Sequence, residues 1–220
     1  GLCFKSGNAT ILRGGKEAIH SNQIIAKVMA EAAAKALPAF PADAIQVVPT
    51  TDRAAILELL SLTSHVDLCI PRGGESLIRA VTECSHVPVI KHYKGVCHVY
   101  IDANANAAMA EEIAFNSKVH RPGVCNAAET LLVDTSVAID VLPRLAKRLA
   151  KANVELRGDK PTQALLDGSG VEITLASDAD WDEEYLDLVL SVKILDGVGE
   201  AIEHINTHGS GHTETIVTGD

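Results

Sequence analysis

Two short segments have the residue types of turns that bind phosphate groups. Their residues are Arg13, Gly14, Gly15 and Lys16 in the first and Arg72, Gly73, Gly74 and Ser76 in the second. Glycine lets a backbone approach a ligand closely, and the N-terminus of a following helix supplies N–H groups without partners. Neither segment matches the dinucleotide or P-loop fingerprints. A tight strand-to-helix turn that binds no ligand is therefore an open alternative for each.

Cys125 is the candidate nucleophile. It follows Arg121 closely in a polar turn, where a nearby cation or helix N-terminus favours the reactive thiolate. Arg121 could also steer an anionic substrate, and His120 is a candidate acid. The alternative for Arg121 is a surface ion pair, and the alternative for Cys125 is a small buried side chain. Burial alone is the interpretation for three cysteines in apolar runs, Cys3, Cys69 and Cys97.

The sequence predicts no metal site. His204, His208 and His212 recur every fourth residue, as metal ligands on one helix face would. Gly209 and Gly211 should end that helix, however, so that the third histidine leaves the face. The five cysteines form no CxxC pair, which argues against a zinc ribbon and against a disulfide framework.

The composition narrows the function classes. The 220 residues carry a formal net charge of −10, whereas binding of nucleic acid requires a basic surface. No apolar run approaches the roughly 18 residues of a membrane span, and no signal peptide is visible. We therefore expect a cytoplasmic protein with free thiols, whose partner is a small molecule and not nucleic acid or a membrane.

Strands and helices alternate along the chain. Strands are predicted at 8–13, 45–48, 66–70, 87–90, 96–101, 130–133, 171–174 and 186–195. Helices are predicted at 21–37, from the second Arg-Gly-Gly turn to about 84, and at 52–62, 107–116, 137–152 and 198–206. This alternation indicates an α/β fold, a parallel sheet covered by helices, with both Arg-Gly-Gly turns at carboxyl ends of strands. The regular alternation of strands and helices changes near 102–106, so we place a domain boundary between 103 and 104.

Seven stretches resemble the aldehyde dehydrogenase superfamily and, within it, the γ-glutamyl phosphate reductase family. They are 6–18 (SGNATILRGGKEA), 50–53 (TTDR), 70–74 (IPRGG), 88–93 (PVIKHY), 121–127 (RPGVCNA), 184–188 (EYLDL) and 208–213 (HGSGHT). They follow the family's order over nearly the whole chain. The resemblance implies an aldehyde dehydrogenase-like fold. Residues 1–103 would be part of an NADPH-binding domain with a Rossmann-type sheet, and 104–220 most of a catalytic α/β domain.

The family's reaction is the reduction of L-glutamyl 5-phosphate by NADPH to L-glutamate 5-semialdehyde and phosphate, in proline biosynthesis. The resemblance makes Cys125 the nucleophile, whose thiolate expels phosphate and forms a thioester that hydride reduces. Glu184 matches the acidic residue that holds the nicotinamide ribose, although the Tyr185 and Leu186 that follow depart from the common pattern. The remaining cofactor residues implied are Arg13, Gly14, Gly15, Lys16, Gly73, Gly74 and Ser76.

Two departures from the hydrolytic aldehyde dehydrogenases have a chemical meaning. Lys91 stands where those enzymes carry a glutamate base, and an ammonium group cannot activate water to hydrolyse a thioester. This argues against simple oxidation of an aldehyde. Arg13 and Lys16 stand where NAD-preferring relatives carry a lysine and a glutamate, and two cations suit the 2′-phosphate of NADPH.

Two further interpretations stay open. The chain could be the reductase part of a bifunctional pyrroline-5-carboxylate synthase, or an inactive binding or assembly module with this fold. Members of the family are about twice as long, so the chain resembles a central piece whose apolar surface faces other parts of the protein. We therefore expect the isolated piece to be inactive and either poorly stable or self-associating, and the full-length form to be a homo-oligomer.

Overall fold

The structure, a computed structural model, describes all residues, Gly1–Asp220. It divides into two compact units, Gly1–Lys91 and His92–Asp220. The division comes before the boundary predicted at 103/104, because the strand Cys97–Ile101 is hydrogen-bonded on both sides to strands of the second unit. None of the helices combines the length and the apolar character that a membrane span requires.

The first unit consists of β-α repeats. Its helices are α1 (Leu2–Lys5), α2 (Ile19–Ala36), α3 (Ala54–Ser61) and α4 (Glu75–Cys84). Its strands are β1 (Thr10–Leu12) and β2 (Ile45–Val47), which pair in parallel. Where strands were predicted at 66–70 and 87–90, the structure has a single parallel bridge between Cys69 and Val89. Pro88 lies beside this bridge and has no N–H to extend the pairing.

The second unit is a six-stranded sheet. Its strands are β3 (Cys97–Ile101), β4 (Ala128–Asp134), β5 (Glu155–Gly158), β6 (Ile173–Leu175), β7 (Val189–Leu195) and β8 (Glu214–Val217). Its helices are α5 (Ala107–Val119), α6 (Thr135–Lys151), α7 (Lys160–Leu166) and α8 (Gly197–His208). The strand order is β6-β5-β7-β4-β3-β8, and every neighbouring pair is parallel. The predicted parallel sheet with covering helices is confirmed.

The core of the second unit forms on both faces of this sheet. Strands β3 and β4 are buried along their whole length, as expected for central strands of a parallel sheet that is covered on two sides. Successive side chains point to opposite faces. Leu131 and Val133 pack in the cluster that includes α5 and α6, whereas Leu132 packs with Tyr100 and with Ala201 of α8.

Three elements, β5, α7 and β8, have no clear signal in the sequence. The two strands have four residues each and include charged side chains. They become strands because β7 and β3 offer them a hydrogen-bonding edge. Helix α7 has seven residues and is capped by the preceding Asp159, whose carboxylate accepts the N–H of Thr162 at 2.9 Å.

Candidate active site

The candidate nucleophile lies at the amino edge of the second unit's sheet. Because all six strands are parallel, the segments that lead into them arrive at the same edge. Gly95 leads into β3, Cys125 into β4 and Glu184 into β7. This edge is opposite to the carboxyl ends at which open α/β sheets commonly bind ligands.

Cys125 is an exposed thiol in a compact turn. The N–H of Ala127 donates to the carbonyl of Val124 at 3.0 Å. The carbonyl of Cys125 accepts the thiol of Cys97 at 3.2 Å. The alternative of a buried side chain is therefore wrong for Cys125, while it is correct for Cys97. Because Cys125 is exposed, its side chain has the access that a nucleophile needs.

Gly95 contacts both Glu184 and the Cys125 turn. Its N–H donates to Oε1 of Glu184 at 2.8 Å. A Cβ at position 95 would collide with the carbonyl oxygen of Cys125 and would lie 2.9 Å from Oε1 of Glu184. Two predicted site residues thus share a neighbour that the sequence analysis missed. The available signal was a glycine directly before a buried strand, which marks a close approach of two backbones.

The residues after Glu184 are anchored to the interior. The hydroxyl of Tyr185 donates to Oδ1 of Asp180 at 2.9 Å, and burial raises the pKa of this phenol to about 12. The N–H of Leu186 donates to Oε1 of Glu129 at 3.3 Å. Leu186 has a φ of +52°, a left-handed conformation that is uncommon for a leucine. These bonds fix the loop from which the Glu184 carboxylate extends.

A buried ion pair closes the base of the turn that carries Cys125. Nζ of Lys118, on α5, lies 2.6 Å from Oε2 of Glu129, on β4, and both side chains are almost completely removed from water. Burial lowers the pKa of Lys118 and raises the pKa of Glu129, and their mutual bond opposes both shifts. Since one partner precedes Cys125 in the chain and the other follows it, the pair holds the two ends of the turn together. Nothing in the local sequence marks this pair, because its members lie on different elements.

His120 and Arg121 are exposed residues at the start of the same turn. They line a shallow cavity of about 320 Å3, to which Val124 and Asn126 also contribute. The thiol of Cys125 is not part of the lining. The structure therefore places these two predicted residues next to the candidate nucleophile in the chain and in a cavity that Cys125 does not line.

The first Arg-Gly-Gly turn follows β1, at the carboxyl end of that strand, as predicted. The guanidinium of Arg13 donates to the carbonyl of Thr51 at 3.0 Å, while its Nε is buried without a partner. Lys16 is exposed. Of the two predicted cations, Arg13 is hydrogen-bonded to the loop after β2, and Lys16 extends into solvent.

Gly14 and Gly15 are close to side chains that follow them in the chain, one of them on α2. A Cβ on Gly14 would collide with the amide of Asn22, and one on Gly15 would collide with the carboxylate of Glu17. Both contacting atoms are the ends of flexible side chains, so these contacts do not by themselves require glycine.

The second Arg-Gly-Gly turn opens α4, also as predicted. Gly73 has a φ of +155° and Gly74 is the residue before the helix. A Cβ on Gly74 would meet no atom within 4 Å, so the backbone is open there. Ser76 lies in the first turn of α4 and is exposed.

The three periodic histidines separate as the glycines indicated. Helix α8 ends at His208. His212 lies beyond it and packs against His92, with ring centroids 4.2 Å apart. No group of three or more His, Cys, Asp or Glu side chains is arranged to hold a metal ion.

Comparison with known proteins decides the family. The model of the aldehyde dehydrogenase family matches residues 2–165. The chain belongs to the aldehyde dehydrogenase family. In this family member the matched span includes both Arg-Gly-Gly turns and the Cys125 turn, and it ends before Glu184.

Curated relatives of this family member match it over its whole length. It is 52% identical over 219 residues to the γ-glutamyl phosphate reductase of Geobacter metallireducens, covering 100% of this chain and 51% of that protein. It is 53% identical over 219 residues to the γ-glutamyl phosphate reductase of Salinibacter ruber, covering 99% of this chain and 49% of that protein. The chain thus spans about half the length of the curated relatives it matches.

Solved structures agree with the family. The crystal structure of γ-glutamyl phosphate reductase from Thermotoga maritima superposes with a TM-score of 0.89 at 38% identity, covering 100% of this chain and 51% of that one. A probable aldehyde dehydrogenase from Listeria monocytogenes has a TM-score of 0.72 at 18% identity, covering 98% of this chain and 55% of that one. The second likeness shows the fold alone. The predicted aldehyde dehydrogenase-like α/β fold is confirmed.

Proposed function

We propose that the complete protein carrying this sequence reduces L-glutamyl 5-phosphate to L-glutamate 5-semialdehyde and phosphate, using NADPH and a thioester on Cys125. One observation carries the proposal. Cys125, which the resemblance assigns as nucleophile, is exposed, and its backbone carbonyl is hydrogen-bonded to Cys97. The chain around it is 52% identical to a relative named for this reaction.

Covalent catalysis divides the reduction into two easier steps. The thiolate of Cys125 attacks the acyl carbon of the substrate, a C–S bond forms, and the C–O bond to phosphate breaks with its electron pair leaving on phosphate. Addition of a hydride to the thioester carbon then gives an alkoxide, which collapses to the aldehyde and releases the Cys125 thiolate. Arg121 and His120, beside the turn, are proposed to attract the acyl phosphate.

Residues of the first unit suit a nicotinamide cofactor that carries a 2′-phosphate. Arg13 has a buried Nε without a partner, Lys16 is exposed, and the backbone at Gly74 is open. Cations and helix N–H groups are the donors that phosphates prefer. When bound, NADPH supplies the hydride. We assign its binding to these residues with Gly14, Gly15, Gly73 and Ser76, and assign the nicotinamide ribose to Glu184.

The residue at position 91 supports reduction over oxidation. The hydrolytic relatives need a carboxylate base to release an acid from the thioester, and this chain has Lys91 at the matching position. An ammonium group accepts no proton from water at neutral pH. The thioester is therefore preserved for reduction.

The test uses the complete protein as wild type and as Cys125→Ala. Oxidation of NADPH is followed with L-glutamyl 5-phosphate, or reduction of NADP+ with the semialdehyde and phosphate. We expect kcat to fall at least ~10³-fold in the variant, because removing a nucleophile removes the covalent path. Cys84→Ala removes a half-buried thiol at the end of α4 and serves as the control, with activity retained.

Wild-type turnover by Cys125→Ala would refute the thioester mechanism. Acid formation from an aldehyde without phosphate would show an oxidising dehydrogenase instead. Equal kcat/KM for NADPH and NADH would overturn the cofactor assignment to Arg13 and Lys16.

A further inference from the structure

The thiol of Cys97 has no part in the steps above and lies against the nucleophile turn. Cys97 is the first residue of β3 and is only 2% exposed. Its Sγ lies 3.2 Å from the carbonyl oxygen of Cys125. The pairing register between β3 and β4 shifts between Cys97 and His98. Such irregularities in a ladder turn side chains toward new positions and are common next to functional sites.

Gly95 approaches the same carbonyl from another direction. Any Cβ at position 95 would collide with the Cys125 oxygen. The N–H of Gly95 is already donated to Glu184 at 2.8 Å, so it is the thiol of Cys97 that donates to the Cys125 carbonyl. The close backbone contact and this hydrogen bond together leave the carbonyl little room to turn.

Holding this carbonyl has a consequence for the nucleophile. A trans peptide unit is planar, with its C=O and its N–H pointing in opposite directions. Fixing the carbonyl of Cys125 therefore fixes the N–H of Asn126 and the ψ angle of Cys125. The direction of the exposed Cys125 side chain depends on that backbone. A reacting group displaced by ~1 Å can lose ~10²-fold in rate.

The surroundings of Cys97 suit a hydrogen-bond donor and not a second nucleophile. Burial, together with the nearby Glu214 carboxylate, raises the pKa of the Cys97 thiol to about 11. The thiol thus keeps its proton at neutral pH. Its other polar neighbours are Nδ1 of His212, at the longer distance of 3.7 Å, and the hydroxyl and backbone N–H of Thr213, whose bonds to the sulfur oppose this rise in pKa without outweighing it.

We propose that Cys97 is a positioning residue: its thiol holds the peptide between Cys125 and Asn126 in the orientation that directs the nucleophile at the substrate. The inference rests on the proposed function of Cys125. In this role Cys97 acts on the reaction through Cys125, so loss of its S–H should lower kcat and leave KM nearly unchanged.

The test compares the complete protein as wild type, Cys97→Ala and Cys97→Ser. Alanine removes the donor, whereas serine keeps a hydroxyl donor in its place. We expect kcat to fall about 10-fold in Cys97→Ala with KM within about twofold, and kcat of Cys97→Ser to lie within about threefold of wild type. The control is Cys69→Ala, which removes a half-buried thiol of the first unit.

A second measurement does not depend on turnover. The rate at which iodoacetamide alkylates Cys125, followed by peptide mass spectrometry, should fall in Cys97→Ala and recover in Cys97→Ser. Unfolding midpoints are recorded for each variant. If the alanine variant does not fold, Cys97→Val provides a side chain of similar size without a donor.

The outcomes separate the two proposals. Unchanged kcat and alkylation in Cys97→Ala, with Cys125→Ala inactive, would overturn the positioning role and leave the proposed function standing. Equal losses in the alanine and serine variants would also overturn it, since packing and not the donor would then be responsible. Full activity of Cys125→Ala would refute the proposed function itself.

Discussion

Lys118 and Glu129 lie 2.6 Å apart, with side chains that are 0% and 1% exposed. Removing one member of such a pair leaves the other charge buried without compensation, which costs about 3–5 kcal/mol of unfolding free energy. We therefore expect Lys118→Met to destabilise the protein by that amount in urea titrations. Because the pair closes the base of the Cys125 turn, kcat should fall as well.

The double variant Lys118→Met/Glu129→Leu is the control for this prediction. Replacing both charges by apolar side chains of similar size is often neutral or stabilising. The double variant should therefore be more stable than Lys118→Met. If the single variant unfolds at the wild-type urea concentration, the pair does not hold the turn.

His204 makes the free energy of unfolding depend on pH. Burial, followed by the charges of Lys193, His208 and His98, lowers the pKa of His204 to about 3. In the unfolded chain the imidazole binds a proton near pH 6.5, whereas the folded state excludes it until about pH 3. The unfolded state thus binds more protons between these values, and the free energy of unfolding falls as the pH is lowered through this range. The largest slope from one such group is ~1.4 kcal/mol per pH unit.

We expect this slope to become shallower in His204→Gln, measured as urea unfolding at several pH values between 7 and about 4. His20→Gln, at an exposed position of α2, is the matched control and should keep the wild-type slope. Parallel stability curves for wild type and His204→Gln would contradict the assignment.

At the scale of elements, Asp159 joins a helix to the sheet. One carboxylate oxygen accepts the N–H of Thr162 at 2.9 Å and caps α7, and the other accepts the N–H of Ile194 of β7 at 3.3 Å. Loss of a side-chain cap costs about 0.5–2 kcal/mol. Asp159→Ala should therefore lower the unfolding free energy by about 1–2 kcal/mol, while Asp159→Asn, which keeps an acceptor, should lose less. Equal stability of the alanine variant would show that the cap contributes nothing.

The sequence predicted the long elements more completely than the short ones. Helix α6 and strands β3 and β4 were found near their observed limits, because their apolar pattern reports burial directly. Helix α2 was also found, from its helical spacing, although it buries no residue within this chain. Strands β5 and β8 were missed, since a four-residue segment with charged side chains has no periodicity of its own. Their conformation comes from the edges that β7 and β3 present.

At the scale of the whole molecule, the two units differ in how much core they contain. In the first unit the buried apolar side chains are Leu60, Ile78, Val81 and Val87. On α2, Ile24, Ile25, Val28 and Met29 are each about half exposed or more. The second unit buries a large continuous cluster around β3, β4 and α6. Hydrophobic burial is the main stabilising force in folding, so the second unit should open less often.

Amide hydrogen exchange of the 220-residue chain tests this difference. We expect the amides of β1, β2 and α2 to exchange faster than those of β3, β4 and β7, because regions with few buried apolar contacts open at lower free energy. The experiment is read by peptide mass spectrometry at pH 7. Equal protection of both groups of strands would contradict the prediction.

The sequence alone determined the character of this protein: an α/β chain with parallel strands, a cysteine in a polar turn and a resemblance to the aldehyde dehydrogenases. These features depend on local pattern and on residues close together in the chain. The tertiary structure decided what surrounds that cysteine. Gly95 meets Glu184 across 89 positions of the chain, and Cys97 meets Cys125 across 28. Those contacts follow from the strand order, which places β4 between β3 and β7. Local periodicity reports which residues are buried but not which strands become neighbours.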